Sequence, residues 1–281
     1  MDKIVGIPRS FLYYDHHILW ETFLSELRIP YIVSPKTNEQ IMRFGQQDSH
    51  DEMCLSLKNY LGHVHFLEDK CDYLLVPRVD NYGLYNQTCT NFLALYDIVH
   101  NVTNKPILNY NIDYCHGDTE WKGFLKMGLE LGKKRAEIKD AYHHAKEKEK
   151  EYYDHLIGAN YNALNNSKPR ILIIAHNYVL YDEMIGLPIT NMFQKMGATI
   201  IDANLFDQKV ALRESRRISS GLYWDTSRKL VGAIPIVEHN IDGIVFLSSF
   251  PCGLDSLVNE LVIRKIKKPY LNLVVDDISS L

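Results

Sequence analysis

Three cysteines, Cys54, Cys89 and Cys252, are the side chains of this sequence best suited to metal chemistry. Each is expected at the start of a helix or in a loop that follows a strand. A helix N-terminus carries a partial positive charge, which lowers the pKa of a thiol and favours the thiolate. Three or four thiolates suit an iron–sulfur cluster or zinc. The spacing alone is unspecific, because the sequence contains no Cys-x2-Cys pair.

The two remaining cysteines have different settings. Cys71 precedes the apolar run of residues 73–76, so we expect it to be buried as a small hydrophobe. Cys115 lies in a loop after a strand, and the residues alone leave its role open.

Four other side chains follow predicted strands and are candidates for ligand binding. Arg9 and Arg78 belong to the first half of the chain, and His176 and Tyr178 to the second. Ligands of open parallel sheets bind outside the carboxyl ends of the strands, and arginine can hold a carboxylate or phosphate with two N–H groups. The plainer interpretation is that the arginines pair with acidic residues across a domain interface and that His176 is a structural histidine.

These side chains are positioned by alternating strands and helices. Short apolar segments occur at 3–7, 31–33, 72–76 and 106–110, and again at 170–175, 199–201, 243–247 and 270–275. Segments with helical spacing separate them, which predicts an α/β fold with parallel sheets covered on both faces. We expect two Rossmann-like doubly wound domains, at 1–118 and 169–281, joined by a long helical connector and linker at 119–168. Two facing domains could bring the cysteine-bearing loops together at a cleft.

Composition narrows the class of protein. The chain has 281 residues, of which 46% are hydrophobic and 23% charged, as in an ordinary globular protein. A net charge of −4 does not favour a nucleic-acid-binding face. The chain has no apolar run of ~18 residues and no signal-like N-terminus, so we expect a cytoplasmic protein without a membrane span. It also lacks glycine-rich phosphate loops and a Gly-x-Ser-x-Gly elbow. The oligomeric state stays open.

Several motifs together resemble one family. The opening is Ile4-Val5-Gly6-Ile7-Pro8-Arg9, and the segment Asp51-Glu52-Met53-Cys54 precedes Leu61-Gly62-His63-Val64. The second half contains Ala175-His176-Asn177-Tyr178 and closes with Cys252-Gly253-Leu254-Asp255. Over nearly the whole chain this pattern resembles the activase-related branch of the 2-hydroxyacyl-CoA dehydratase superfamily, and in particular a 2-hydroxyglutaryl-CoA dehydratase D-component.

The resemblance implies a 4Fe–4S cluster held between two domains by Cys54, Cys89 and Cys252. In dehydratase relatives such a cluster has an open iron site and passes one electron to a 2-hydroxyacyl-CoA. A separate ATP-hydrolysing activase supplies that electron. The implied partners are therefore an ATP-dependent activase or another electron donor protein, with an acyl-CoA or small molecule as ligand. Cys71 and Cys115 are not expected to bind the cluster.

Alternative functions stay open alongside an iron–sulfur protein for low-potential electron transfer or reductive chemistry. Where relatives have Cys-Pro-Lys-Phe and His-Pro-Tyr, this chain has Cys89-Thr90-Asn91-Phe92 and His176-Asn177-Tyr178. Such departures favour a non-catalytic assembly or regulatory module that retains the fold. Thiolate sites also accept zinc, so a zinc-stabilised binding protein is a third possibility. Whether the chain is an enzyme, as a dehydratase-like or reductase component, is left undecided.

Overall fold

The computed structural model describes residues 3–277 and divides the chain into two compact units, residues 1–152 and 153–281. We call them unit 1 and unit 2. Each contains a parallel sheet with helices, which confirms the predicted α/β fold class. Within the described residues, none of the helices is both long enough and apolar enough to cross a bilayer.

Unit 1 alternates short strands with helices along most of its length. Its elements are β1 (Val5–Ile7), α1 (Tyr13–Glu26), β2 (Tyr31–Val33), α2 (Glu39–Gln47), α3 (Leu55–Leu67), β3 (Tyr73–Leu75), β4 (Arg78–Asn81), α4 (Thr90–Leu93), α5 (Leu95–Val102), β5 (Ile107–Leu108), β6 (Asn111–Asp113), the 3-10 turn Tyr114–His116, and α6 (Glu120–Glu130). Helix α7 (Arg135–Ala163) begins in unit 1 and ends in unit 2.

The main sheet of unit 1 is parallel and has the strand order β2-β1-β3-β5. Val5 of β1 aligns with Tyr31 of β2 on one side and with Tyr73 of β3 on the other. The chain therefore leaves β1 toward one edge and returns to its other side at β3. This is a topological switch point, where parallel sheets bind their ligands. The loops after β1 and β3 contain Arg9 and lead to Arg78.

Helices α2 and α3 cross at two glycines. A Cβ atom on Gly62 would lie 2.0 Å from the Ile41 carbonyl oxygen, and one on Gly45 would lie 2.1 Å from that of Lys58. No side chain fits at either position, so the two backbones are in direct contact. Every residue of α3 from Leu55 to Val64 is buried by this packing. The helix that begins after Cys54 is thus a fixed part of the core.

Unit 2 repeats the same architecture with longer strands. Its elements are β7 (Arg170–Ile174), α8 (Asn177–Leu180), α9 (Gly186–Lys195), β8 (Thr199–Asp202), α10 (Gln208–Ile218), α11 (Asp225–Val237), β9 (Gly243–Ser249), α12 (Gly253–Ile263) and β10 (Tyr270–Val275). The parallel strands have the order β10-β9-β7-β8, so the switch point lies between β7 and β9. The core includes Leu172, Phe246 and Val258, from β7, β9 and α12.

Three predicted elements differ from the structure. The sequence of residues 121–157 predicts one long helix, but the structure divides it into α6 and α7 near Gly132, whose φ of +77° suits glycine. The sequence also predicts a helix at 231–239, but α11 begins at Asp225. A single short helix is predicted at 92–99, and the segment instead forms parts of α4 and α5. The proposed connector at 119–168 stays a prediction, because α6 and part of α7 belong to unit 1.

Candidate functional site

The loop after β1 is tightly held against α3 and α4. Phe11 has a φ of +48°, a conformation that is uncommon outside glycine. Its ring stacks on Tyr60 of α3 at a centroid distance of 5.3 Å and meets Phe92 of α4 edge-on at 5.0 Å. Ser10 Oγ also donates to the Ser56 carbonyl oxygen at 3.5 Å. This packing fixes the β1 loop beside the first turns of α3 and α4.

Cys54 and Cys89 both occupy helix N-cap positions in unit 1. Cys54 caps α3 with φ −63° and ψ 147°, and Cys89 caps α4 with φ −65° and ψ 143°. The Asn91 side-chain amide donates to Cys54 Sγ at 3.7 Å. Because Asn91 lies two residues after Cys89, the two cysteine-capped turns are neighbours. The predicted position of Cys54 and Cys89 at helix starts is confirmed.

Arg9 is anchored by polar contacts to the segment after β2. Its Nε donates to the Ser34 carbonyl oxygen at 3.2 Å, and its backbone N–H donates to Ser34 Oγ at 2.8 Å. The guanidinium carbon lies 5.2 Å from the centre of the Tyr13 ring. These contacts hold the half-buried guanidinium at the carboxyl end of the sheet.

Arg78 is held by a different set of contacts. Its Nε donates to the carbonyl oxygen of Leu93 at 3.0 Å, and its backbone N–H donates to Tyr110 O at 2.9 Å. Leu93 is the last residue of α4, so Arg78 interacts with the negative end of that helix. Within unit 1, the Nε–H of each arginine thus donates to a backbone carbonyl oxygen.

In unit 2, His176 and Tyr178 lie together after β7. His176 is the N-cap residue of α8, and its ring stacks on Tyr178 at 5.0 Å with an interplanar angle of 6°. The His176 Nε2 atom is hydrogen-bonded to Asp255 Oδ1 at 3.0 Å. Both members of this pair are buried, with 8% and 9% of their surfaces exposed. The contact joins the loop after β7 to the loop after β9.

Cys252 completes this group from the start of α12. It is the N-cap residue, and its Sγ accepts a hydrogen bond from the Asp255 backbone N–H at 3.5 Å. Burial acts to raise the pKa of Asp255, but the charge and hydrogen bond of His176 and a hydrogen bond with Cys252 hold it below its ordinary value. Asp255 therefore contacts two of the three predicted site residues of unit 2, His176 and Cys252.

Asp255 is the site residue that sequence reasoning missed. It lies three residues after the N-cap Cys252, which is the spacing at which a capping side chain and an acidic residue support a helix start. That spacing was a usable signal for the contact with Cys252. The contact with His176 was not predictable, because the two residues are 79 positions apart.

A small cavity lies beneath the His176–Asp255 pair in unit 2. Its wall is mostly apolar, with Leu230, Val231 and Leu247 among the lining residues. Ser227 and Asn259 add polar groups to it. His176 and Asp255 line the cavity as well, so the pair borders a largely apolar space.

The other two cysteines differ in their surroundings. Cys71 is buried, as expected, and its Sγ donates to the Leu67 carbonyl oxygen at 3.3 Å. Burial raises the pKa of its thiol to about 11. Cys115 is exposed in the 3-10 turn after β6.

The thiols of the predicted site are divided between the units. Cys54 and Cys89 belong to unit 1 and Cys252 to unit 2. Over residues 3–277, the structure groups no three His, Cys, Asp or Glu side chains in a manner suited to a metal ion. Their ligand chemistry fits an iron–sulfur cluster, since each cysteine stands at the positive end of a helix. Convergence of the three sulfurs stays a prediction.

Solved structures with some similarity to the chain include binding and transport proteins. The structure of the solute-binding protein FpvC from Pseudomonas aeruginosa in complex with Mn²⁺ is 10% identical, with a TM-score of 0.33, over 98% of this chain and 88% of that one. A carbohydrate transporter from Acidothermus cellulolyticus in complex with myo-inositol is 10% identical, with a TM-score of 0.22, over 98% and 74% of the two chains. A sugar transporter from Clostridium phytofermentans is 12% identical, with a TM-score of 0.23, over 98% and 97%. At these scores the similarities carry no argument about this chain.

The family comparison is informative. No curated protein matches the sequence. The family described as "CoA enzyme activase uncharacterised domain (DUF2229)" matches residues 4–205. That range contains Arg9, Cys54, Cys89 and His176, and Cys252 lies beyond it. Because the match covers well over half of the chain, the protein belongs to this CoA enzyme activase-related family.

Proposed function

We propose that this protein is an iron–sulfur component of a CoA-dependent reductive system, similar to 2-hydroxyacyl-CoA dehydratase components. Cys54, Cys89 and Cys252 would bind a 4Fe–4S cluster with thiolates drawn from both units. The observation that carries the proposal is that each of these cysteines occupies the N-cap of a helix. The cluster would supply low-potential electron transfer, and the chain would position it and adjust its surroundings.

The remaining candidate residues would form a ligand site for an acyl-CoA or another small molecule. Arg9 lies in the loop after β1 and Arg78 is the first residue of β4, and both are held at Nε by a backbone carbonyl. A guanidinium held in this way keeps N–H groups for a carboxylate or phosphate. In unit 2, the stacked His176–Tyr178 pair would border the ligand. We further propose that an ATP-dependent activase or another electron donor is the partner protein, in keeping with the family.

The test is metal identity and colour after anaerobic purification. A brown protein that absorbs near ~400 nm and contains iron and sulfide supports the proposal. A colourless protein with one zinc would replace it with a zinc-stabilised binding protein. A colourless protein with neither metal would favour an assembly or regulatory module.

A further inference from the structure

Arg9 lies in a part of unit 1 where neutral polar groups surround a positive charge. The residue follows β1, and its contacts with Ser34 lead to the segment after β2. Both strands end at the same edge of the parallel sheet. In that edge, Ser34 and Thr37 are buried, with 1% and 3% of their surfaces exposed. Arg9 thus lies at the edge of the sheet that contains the buried hydroxyl groups of Ser34 and Thr37, which is the edge where parallel sheets bind ligands.

No carboxylate of residues 3–277 lies within 4.0 Å of the Arg9 side-chain nitrogens. The carboxylate of Glu21 in α1 has other partners. Its Oε1 accepts a hydrogen bond from the Tyr13 hydroxyl at 3.0 Å, and its Oε2 accepts one from the Tyr31 hydroxyl at 3.4 Å. The Nε–H of Arg9 donates to the Ser34 carbonyl oxygen, so this contact uses neither of the two Nη groups. A half-buried cation is usually matched by an anion, so these groups indicate an external partner.

His63 adds a neutral polar group to the same region. It is fully buried, and its Nε2 is hydrogen-bonded to Thr37 Oγ1 at 3.1 Å. Burial, together with the charge of Arg9, lowers the pKa of His63 to about 3, so the ring is neutral at pH 7. Its Nδ1 has no hydrogen-bond partner among the described residues. His63 therefore adds hydrogen-bonding capacity without adding a second charge.

Asn59 lies one turn before His63 on the same face of α3. It is 1% exposed, and neither atom of its amide group is hydrogen-bonded to any residue that the structure describes. Leaving such groups unmatched is unfavourable, so buried polar atoms are normally hydrogen-bonded. Asn59 and His63 therefore place unmatched polar atoms on one helix face, and His63 lies close enough to Arg9 for the arginine charge to act on it.

We propose that Arg9 binds the oxyanion group of a ligand, a carboxylate or a phosphate, through its paired Nη groups at the end of β1. Asn59 and His63 would support the site as neutral hydrogen-bonding groups. Phe11, fixed between Tyr60 and Phe92, would hold the loop in the binding conformation. This inference rests on the proposed ligand site for the role of Arg9, and it makes that role specific.

Isothermal titration of the full chain with butyrate and with inorganic phosphate tests the site and separates the two sources of the oxyanion. The variants are Arg9→Gln and Arg9→Lys, and the control is Arg43→Gln, an exposed arginine of α2 whose loss changes the net charge equally. We expect Arg9→Gln to weaken binding of the effective anion by about tenfold or more. Arg9→Lys should fall between Arg9→Gln and the wild type, because it keeps the charge but loses the planar pair of donors. Arg43→Gln should bind like the wild type.

Binding that is equal in Arg9→Gln and the wild type, or no heat with either anion at millimolar concentration, would overturn the inference. If Arg9→Gln does not fold, the affinity of Arg9→Lys decides: weaker anion binding than the wild type supports the inference, and equal binding overturns it. Iron content is measured on the same samples. A protein that binds the anion through Arg9 but holds no iron would refute the proposed cluster and leave the anion site standing. A protein that contains iron but binds the anion equally well with and without Arg9 would refute the anion site and leave the proposed cluster standing.

Discussion

His16 of α1 and Glu149 of α7 form a partly buried ion pair in unit 1, with 2.9 Å between His16 Nδ1 and Glu149 Oε1 and with 20% and 9% of their side chains exposed. Burial acts to lower the pKa of His16, but the hydrogen bond and charge of Glu149 raise it above the ordinary 6.5. Burial likewise acts to raise the pKa of Glu149, and His16 and Lys146 hold it below 4.5. The histidine contribution is present below pH 6.5 and is lost as the pH rises through the folded-state pKa. The glutamate contribution is present above pH 4.5 and is lost as the pH falls.

We therefore expect His16→Gln to destabilise the protein most in mildly acidic solution. At about pH 5.5 the loss should be roughly 1–2 kcal/mol in the free energy of unfolding, less than for a fully isolated buried charge because Lys146 still pairs with Glu149 at 2.6 Å. In alkaline solution above the folded-state pKa of His16 the loss should shrink, since the ring is neutral there. Urea denaturation at both pH values measures the difference.

The control for this prediction is His116→Gln. His116 pairs with Asp113 at 2.6 Å, but 79% of its side chain is exposed, so its removal should change stability little at either pH. An equal loss of stability for His16→Gln at acidic and alkaline pH would contradict the assigned charge states.

Thiol reactivity should separate Cys71 from Cys115. The Cys71 thiol is buried, and a pKa of about 11 leaves roughly one thiol in a thousand ionised at pH 8. Cys115 is exposed. We expect iodoacetamide to label Cys115 at least about a hundredfold faster, as followed by peptide mass spectrometry. Comparable rates in the folded protein would show that Cys71 is accessible.

At the scale of side chains, the sequence predicts where a residue lies in a helix or loop better than it predicts which side chain that residue contacts. It placed Cys54, Cys89, Cys252 and His176 at the starts of helices or after strands, where the structure has them as N-cap residues. Those positions follow from local pattern. Asp255 escaped notice because its contact with His176 depends on how β7 and β9 align in the sheet, which no local pattern records.

The crossing of α2 and α3 is the element-scale feature that fixes the start of α3. Gly62→Ala would place a methyl group 2.0 Å from a backbone oxygen, so the helices must separate. We expect a loss of at least about 2–3 kcal/mol in the free energy of unfolding, as for overpacked cores. Thermal and urea denaturation measure it, and the displaced α3 should also lower the affinity of the Cys54 site for metal.

Gly158→Ala is the matched control in a helix without a close contact. Gly158 is exposed in α7, and a Cβ atom there would meet nothing within 4 Å. Alanine should stabilise that helix by about 0.5–1 kcal/mol, because glycine is a poor helix former. If Gly62→Ala and Gly158→Ala behave alike, the close crossing of α2 and α3 is wrong.

Elements with a strong apolar pattern were predictable, and polar ones were not. The final strand is predicted at 270–275 and lies there. Thr37 and Asn38 are both possible caps for the helix that follows them, and the structure has Asn38 in that position. Helix α10 was missed because its sequence is largely charged and buries only a narrow face. Strands β4 and β6 were missed for a related reason, since they are short, polar and paired only with each other.

At the scale of the whole molecule, the two units share one strand order. In each, the second strand lies beside the first, and the third and fourth follow on the other side. The repeated β-α-β openings at 3–33 and 170–201 indicated this repetition from sequence. Arg9 and Arg78 border the switch point of unit 1, and His176 and Cys252 border that of unit 2. The same topology thus gives each unit a set of candidate residues at its ligand-binding edge.

The cysteines carry the central proposal. The family match ends at residue 205, so Cys252 rests on the sequence resemblance and on its N-cap position rather than on the family. For this reason Cys252 is the ligand whose role most needs direct evidence.

The most direct test is the iron content of five single cysteine-to-serine variants, purified without oxygen beside the wild type. Three thiolates on one 4Fe–4S cluster predict about four irons per wild-type chain. Cys54→Ser, Cys89→Ser and Cys252→Ser should each lose most of that iron, while Cys71→Ser and Cys115→Ser should retain it. Full iron content in the Cys252→Ser variant, or loss of iron in Cys115→Ser, would contradict the three-cysteine cluster.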